Sequence, residues 1–588
     1  MSDALLSTLK LLAIGISFGG YAVFIFHRFK IRSEILPAVV CSFVGVVLFI
    51  SGILNILPFG AHFIYFGGLV FLGFTFIKYK VKINNIHKFF SFGMIFFILL
   101  CGYFVLYLRS AHLYAYDDFT HWGVIVKELQ LYGRLPNASS QAITFPTYPP
   151  ASALFIYYVT TFVGTGENIA LMAQMFLTSA FASALFIFVP RGIKGIVPNL
   201  IASVSVLFLI GLFQQATSTL LVDALFPLSA VANTAIIIYY RKHLVTASVL
   251  SFFLMTFTIL IKNSGLFFAL VNAGLLLFFV FEYYRLKTGN QKTRNAIVII
   301  GVISIVASFA MLFVWKLHVS MVFPPEAKLG HHSMDISNYK SNFASKPQEQ
   351  VDEITNLFIK HAGNPKTRAN LVMGTLSVFL GLLALAFRFG FKKKLNATIY
   401  ALFFCNVLYV LYIVGIYFMH LFSMPPEEAS SFVSFNRYAI SCVIYCGGIF
   451  TIGILYDIKK RLITNETLLS LFSISALAIV LYMTSFGGTV KSLTGRPDYF
   501  KTHVYEYDKA IANTEINPDN SYLLYRPKSA KDVGFGAYLS KYKLFTKNFK
   551  ILTEIQSKEE LLQQIEQYDH FVVIEQDEAI MPYLSEQK

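Results

Sequence analysis

Charged residues are scarce in this chain. Of its 588 residues, only 14% are charged, whereas 56% are hydrophobic and the mean hydropathy is +0.61. A soluble globular protein carries about 25% charged residues. This shortage excludes an ordinary soluble protein. Long apolar runs recur as far as about residue 486 and predict a polytopic integral membrane protein.

Cysteine is absent from the polar segments of the sequence. All five cysteines fall inside apolar runs, at Cys41, Cys101, Cys405, Cys442 and Cys446, so no disulfide framework is expected. The net charge of +16 does not indicate nucleic acid as a partner. Most of the Lys and Arg residues lie in short loops between apolar runs, where they set membrane orientation and contact lipid.

Apolar runs of roughly 17–25 residues predict about fourteen spanning helices in an all-α membrane domain. The runs start near residues 4, 35, 61, 88, 168, 197, 219, 244, 264, 295, 367, 396, 437 and 463. The run Ala151–Val163 is too short to cross. It follows Pro149 and Pro150, which suit a helix N-terminus, and is predicted to lie on the outer membrane surface.

The distribution of Lys and Arg among the loops predicts how the chain is oriented in the membrane. With the N-terminus outside, every second loop is rich in Lys and Arg, as the positive-inside rule requires. Three longer segments then face outward, namely the loops 109–168 and 318–367 and the tail 487–588. We therefore predict a transmembrane domain, 1–486, and a small extracytoplasmic α/β domain, 487–588. In the latter, 521–525 and 570–575 are predicted strands and 558–567 a helix. The composition suits a multi-pass protein of a bacterial plasma membrane.

The first outer loop carries an acidic pair, Asp117 and Asp118, within ten residues of a predicted span. A carboxylate at the membrane surface can act as general base on a hydroxyl whose reaction partner arrives from the bilayer. His121 lies one helical turn further on and could pair with either Asp. Simple capping of the helix that follows is the alternative interpretation of the pair.

The acidic pair after an early span is followed by Tyr148-Pro149-Pro150 and then by Gly164-x-x-x-Asn168, which leads into a long span. This pattern resembles the GT-C glycosyltransferases over roughly residues 88–270. The resemblance implies inverting sugar transfer from a polyprenyl-phosphate carrier on the outer face. It also implies that Asp117, or else Asp118, is the catalytic base. The chain departs from most relatives in having about four spans before this loop, where they have one.

Further polar residues are predicted at the outer ends of spans, and with His121 and Tyr148 they form the predicted substrate-binding set. Asp223 stands where GT-C relatives often carry an Asp, although it could simply be a favourable charge at a helix start. Lys262 could neutralise a phosphate, or its long side chain could reach out of the membrane. Arg437 suits bidentate contact with a leaving phosphate, and its outer position departs from the positive-inside rule.

The expected function is therefore transfer of a sugar from a polyprenyl-phosphate donor to a hydroxyl of a cell-envelope glycan, lipid or protein. A polysaccharide polymerase or ligase of another membrane class, a flippase or transporter of lipid-linked substrate, and a silent scaffold are the alternatives. No cofactor is assigned, and a need for Mg²⁺ or Mn²⁺ is left open. At His331, His332 and Asp335, a solvated loop is favoured over a metal site, because adjacent His side chains diverge.

Overall fold

A computed structural model describes most of the chain. The described residues are 3–79, 88–190, 195–213, 217–287, 289–324, 336–389, 392, 395–432, 434–460, 486–527 and 533–585. Within them, ten helices are long and apolar enough to cross a membrane. The predicted fold class, a polytopic helical membrane protein with a small C-terminal α/β domain, is confirmed.

The long helices stand where the apolar runs predict them. Their bounds are Asp3–Phe29, Leu36–Ile53, Leu57–Tyr79, Glu167–Ala182 with its continuation Ser183–Phe188, Leu244–Ile261, Gly265–Arg285, Gln291–Val322, Arg368–Phe389, Asn396–Phe422 and Phe435–Lys459. Three shorter helices occupy further predicted spans, at Phe92–Leu108, Ile196–Gly211 and Leu225–Tyr239. The ten long helices and the three shorter ones together match thirteen of the fourteen predicted spans. The remaining span, predicted to start near residue 463, lies outside the described residues.

One predicted span begins later than expected. Its apolar run starts near residue 219, but its helix starts at Leu225. The segment before it is held outside helical geometry by side chains of other elements. The amide of Gln174 donates to the carbonyls of Leu220 and Leu221, and a carboxylate oxygen of Asp118 accepts from the Leu220 N–H. Buried backbone groups need partners, and here polar side chains supply them instead of a helix.

The most buried helices form the centre of the membrane region. In their most apolar stretches, the segment Glu167–Phe188 is 94% buried and Phe435–Lys459 is 89% buried, whereas Gln291–Val322 is 28% buried and leaves its remaining surface to lipid. Leu244–Ile261 packs against both Leu225–Tyr239 and Gln291–Val322. The ends of central helices are therefore shielded positions, suited to holding polar groups away from bulk water.

The short helix Ala151–Val163 does not lie on a surface, and the prediction of an interfacial helix was wrong. Nearly all its side chains are buried. The helix packs against Leu36–Ile53, Gly123–Tyr132 and Glu167–Ala182. A run this apolar can fill a protein interior as readily as it can lie on a bilayer, and only the neighbouring elements distinguish the two outcomes.

Two amphipathic segments follow the helix Gln291–Val322. Helices Ile336–Ala344 and Gln348–Gly363 lie before the helix Arg368–Phe389. A short helix, Pro426–Ser430, contacts Gln348–Gly363. His331, His332 and Asp335 lie outside the described residues.

The C-terminal segment contains a parallel sheet with strand order β2-β1-β3, formed by β1 (Tyr522–Tyr525), β2 (Phe549–Leu552) and β3 (His570–Val573). In register, Tyr522 lies opposite Phe549 on one side and His570 on the other. The helices of this segment are Phe486–Thr494, His503–Ile511, Val533–Leu544, Lys558–Ile565 and Met581–Ser585. Both predicted strands and the predicted helix at 558–567 are confirmed; the division of the chain into domains at 486 stays a prediction.

Candidate functional site

The acidic pair lies at the start of a π-helical turn, Asp118–Trp122, which continues into the helix Gly123–Tyr132. Such turns are rare and often occur at functional sites. Gly123 allows the close packing of the turn, because a Cβ there would come within 2.8 Å of the Asp118 carbonyl oxygen. The side chains of Asp117 and Asp118, although neighbours in sequence, have different partners at this turn.

Asp118 is fully buried. Its Oδ1 accepts from the Thr219 hydroxyl at 2.9 Å and from the Leu220 N–H at 2.8 Å, while Oδ2 has no hydrogen-bond partner among the described residues. Burial raises the pKa of Asp118 from 3.8 to about 8, although the two hydrogen bonds act to lower it. At neutral pH, Asp118 is therefore mainly a neutral acid that holds the segment leading to Asp223.

Asp117 is partly exposed, with 29% of its side chain accessible, and its Oδ2 forms an ion pair with Nη1 of Arg437. Arg437 lies in the first turn of the helix Phe435–Lys459 and is similarly exposed. Ser434, just before that helix, has a φ of +65°. A non-glycine residue in this left-handed conformation is strained by roughly 1–3 kcal/mol, and such strain concentrates at functional sites. Of the two carboxylates, Asp117 is thus the one that an incoming molecule can reach.

A second ion pair lies beside the first. Nζ of Lys262 is 2.8 Å from Oδ1 of the fully buried Asp223. The Ser441 hydroxyl, one turn after Arg437, donates to the Asp223 carbonyl at 2.8 Å. The ring of Tyr438 links the two pairs, because Lys262 Nζ lies 5.1 Å and the Arg437 guanidinium 5.4 Å from its centroid.

His121 is buried between aromatic rings. Its ring centroid lies 4.7 Å from that of Tyr148 and 4.6 Å from that of Trp122. Neither ring nitrogen has a hydrogen-bond partner among the described residues, so the predicted pairing with Asp117 or Asp118 is not formed. Burial, aided by the charge of Lys262, lowers the pKa of His121 from 6.5 to about 3. His121 is therefore a neutral imidazole at neutral pH.

The phenol of Tyr148 is buried and is affected by several charged groups of the site. Burial raises the pKa of its phenol well above 10. Tyr438, Asp117 and Glu428 act in the same direction, and Arg437 opposes them. Its ring lies 4.7 Å from that of His121 and 5.8 Å from that of Trp122, centroid to centroid, and these contacts connect Tyr148 to the site.

The structure thus brings all seven predicted site residues together, from segments more than 300 residues apart in sequence. They are Asp117, Asp118, His121, Tyr148, Asp223, Lys262 and Arg437. Their individual roles stay predictions. Within the described residues, no group of three or more His, Cys, Asp or Glu side chains is arranged to hold a metal ion.

Sequence reasoning missed the C-terminal helix Val533–Leu544, which packs on the acidic turn. The ring of the buried Phe119 lies 5.6 Å from Phe535 and 5.1 Å from Tyr542. Nζ of Lys127 donates to the carbonyl of Tyr542 at 2.8 Å. The contact depends on tertiary structure, and no local pattern in the sequence indicates it.

The crystal structure of ArnT from Cupriavidus metallidurans bound to undecaprenyl phosphate is similar to this chain. The two share 14% sequence identity, with a TM-score of 0.43, over 80% of this chain and 87% of that one. No protein-family model and no curated protein sequence matches this chain. At this level of identity and superposition, the likeness assigns the chain neither a family nor a reaction.

Proposed function

We propose that this protein is an inverting glycosyltransferase that moves a sugar from a polyprenyl-phosphate carrier to a hydroxyl of a cell-envelope acceptor on the outer face of the membrane. One observation carries the proposal. A partly exposed carboxylate, Asp117, is held by Arg437 beside a buried Lys262–Asp223 pair at the ends of membrane helices. A base and two cations suited to a phosphate are thus adjacent, which is the arrangement that transfer from a lipid-anchored donor to a water-borne acceptor requires.

The proposed reaction assigns one step to each group. Asp117 takes the proton of the acceptor hydroxyl as its oxygen attacks the anomeric carbon from the face opposite the phosphate. The bond between the anomeric carbon and the phosphate oxygen breaks, and its electron pair leaves with the polyprenyl phosphate. The attack inverts the anomeric configuration, and Arg437 and Lys262 stabilise the charge that develops on the leaving phosphate.

The two ion pairs explain at which stage of the reaction Asp117 becomes a stronger base. In the described arrangement, Arg437 neutralises Asp117, and Lys262 neutralises Asp223. A donor phosphodiester carries one negative charge, and the departing monoester gains more. As that charge grows, Arg437 gains a stronger anionic partner, so its contact with Asp117 weakens and the carboxylate becomes a better base. An interaction that strengthens towards the transition state raises kcat.

The test uses the full chain in phospholipid vesicles with a panel of polyprenyl-phosphate sugars and an envelope extract as acceptor. Release of polyprenyl phosphate and transfer of labelled sugar are measured. Asp117→Asn should lower turnover by about 10²–10⁴-fold. Arg437→Lys keeps the charge but loses the planar fork, and should lower kcat more than it changes KM.

Asp498→Asn is the matched control, because Asp498 is exposed and pairs only loosely with Lys501 at 3.5 Å. It should retain normal turnover. Near-normal turnover of Asp117→Asn would refute the proposed base. Movement of intact donor across the bilayer without release of polyprenyl phosphate would instead identify the flippase alternative.

A further inference from the structure

Three cations lie against two tyrosine rings at the ends of two membrane helices. Nζ of Lys459 is 4.2 Å from the ring centroid of Tyr239, and Nζ of Lys460 is 5.4 Å from that of Tyr456. Arg241 shares the second ring. Its Nη2 donates to the Tyr456 hydroxyl at 2.6 Å, and its guanidinium carbon lies 5.3 Å from the ring centroid. These five residues form the basic cluster, in which every cation is in range of a cation–π contact.

The buried ring of Phe188 connects the two halves of the basic cluster. Its centroid lies 6.0 Å from that of Tyr239 and 6.3 Å from that of Tyr456. The two tyrosines belong to the helices Leu225–Tyr239 and Phe435–Lys459, which pack against each other. Packed membrane helices therefore hold the three cations in one patch.

Nearby carboxylates do not neutralise this patch. The guanidinium of Arg32 also lies over Tyr239, at 5.9 Å, but Arg32 has its own partner, because its Nη2 is 2.7 Å from Oε1 of Glu34. The carboxylate of Asp457 accepts from the N–H and the hydroxyl of Thr398, both at 2.9 Å, and offsets at most one charge of the cluster. Among the described residues, none of the three cations of the basic cluster has a carboxylate within ion-pairing distance. The cluster thus keeps a positive charge that an anion would stabilise.

The basic cluster lies at the other side of the membrane from the candidate site. Arg437 and Lys459 stand near the two ends of one helix, about 33 Å apart along its axis, because an α-helix rises about 1.5 Å per residue. The hydrocarbon core of a bilayer is about 30 Å thick. If Arg437 is level with the phosphates of one leaflet, the basic cluster is level with those of the other. The positive-inside rule accounts for cations on this face, but it does not require them to converge on two adjoining rings.

We propose that the basic cluster is a binding site for the headgroup phosphate of an anionic phospholipid. Phosphate oxygens can accept from the guanidinium of Arg241 and from the ammonium groups of Lys459 and Lys460. Basic pockets between membrane helices bind lipid headgroups of this kind. A soluble phosphate offers the cations the same group, but only a lipid also brings acyl chains to the apolar helix surface beside them. The site is separate from Asp117 and does not depend on the proposed transferase function.

Lipid titration of the full-length protein in neutral detergent tests the site. Phosphatidylglycerol, phosphatidylcholine and inorganic phosphate are added in separate series, while native mass spectrometry measures bound lipid and the melting temperature reports stabilisation. Phosphatidylglycerol should bind and raise the melting temperature, and the other two should not. Lys459→Gln should weaken phosphatidylglycerol binding by about fivefold, and the double variant with Lys460→Gln by about 25-fold.

Lys78→Gln is the matched control. Lys78 lies at the end of the helix Leu57–Tyr79 on the same membrane face, and its Nζ is 5.0 Å from the ring centroid of Phe74. No second cation of the described residues shares that ring, so Lys78→Gln should change the affinity for phosphatidylglycerol by less than about twofold. An equal loss in Lys78→Gln and Lys459→Gln would reduce the effect to diffuse attraction and overturn the site.

Two other results would also overturn it. One is unchanged phosphatidylglycerol binding by a folded double variant, with folding checked by the melting temperature without lipid. The other is equal stabilisation by inorganic phosphate alone, which would make a soluble anion the ligand. Asp117→Asn keeps the two proposals apart, because it should abolish sugar transfer and bind phosphatidylglycerol as the wild type does.

Discussion

The two adjacent carboxylates should respond very differently to the same substitution. Asp118 is buried and mainly protonated at neutral pH, since burial raises its pKa to about 8. Asparagine resembles a protonated Asp, and its carbonyl oxygen can still accept from Thr219 and Leu220. We expect Asp118→Asn to change turnover at pH 7 by no more than about threefold, which corresponds to about 0.65 kcal/mol. Asp117→Asn should cost about 10²–10⁴-fold.

The same pKa predicts a pH-dependent stability. Between about pH 4 and pH 8, an unfolded chain has released the Asp118 proton while the folded protein still holds it. The wild type therefore loses stability as pH rises through this window, by at most about 1.4 kcal/mol per pH unit from this group. The Asp118→Asn variant has no titrating group at this position and therefore does not lose stability in this pH window. Its melting temperature relative to the wild type should rise from pH 5 to pH 8 and then level off.

The assay combines turnover in vesicles at pH 7 with thermal melts of purified protein between pH 5 and pH 9. Asp118→Ala provides the contrast, because it removes the oxygen that accepts from Thr219 and Leu220 and should cost about 1–3 kcal/mol for each group left unpaired. A well-folded Asp118→Asn protein as inactive as Asp117→Asn would refute the assignment of roles. A melting difference that does not change with pH would refute the protonated state of Asp118.

Two further substitutions test the contacts that hold the site together. Lys262→Met leaves the buried Asp223 carboxylate without its cation and should cost about 3–5 kcal/mol, seen as a lower melting temperature. The double variant with Asp223→Asn should recover much of that loss, whereas additive losses would contradict the pairing. Lys543→Met removes a cation 3.2 Å from Glu167, and should raise amide hydrogen exchange in the helix Val533–Leu544 by about tenfold. Unchanged exchange would show that the ion pair of Lys543 is not needed to hold this helix.

The membrane helices could be predicted from sequence because a bilayer imposes a length and a composition on each span. The prediction was wrong for Ala151–Val163, where protein surrounds the apolar run instead of lipid and water. The start of the helix Leu225–Tyr239 was also placed too early. Two side chains from other segments decide that boundary: Asp118 accepts from the Leu220 N–H, and Gln174 donates to the Leu221 carbonyl.

The site was predictable as a set of residue types but not as a set of contacts. Asp117 and Asp118 are neighbours of identical chemistry, and nothing local distinguishes them. Their difference arises from Arg437, which pairs with one, and from Thr219, which pairs with the other. The docking of Phe535 on the acidic turn depends in the same way on tertiary contacts.

Each cation of the site already has a carboxylate partner, so the two pairs together carry no net charge. Small soluble anions would gain little by entering, since they would have to displace a carboxylate and bring no other source of affinity. A phosphate attached to a long isoprenoid tail differs, because the tail remains in the bilayer and keeps the headgroup near the cluster. Balanced charge at this position would thus favour membrane-tethered phosphates over the free ion without any contact dedicated to rejecting it.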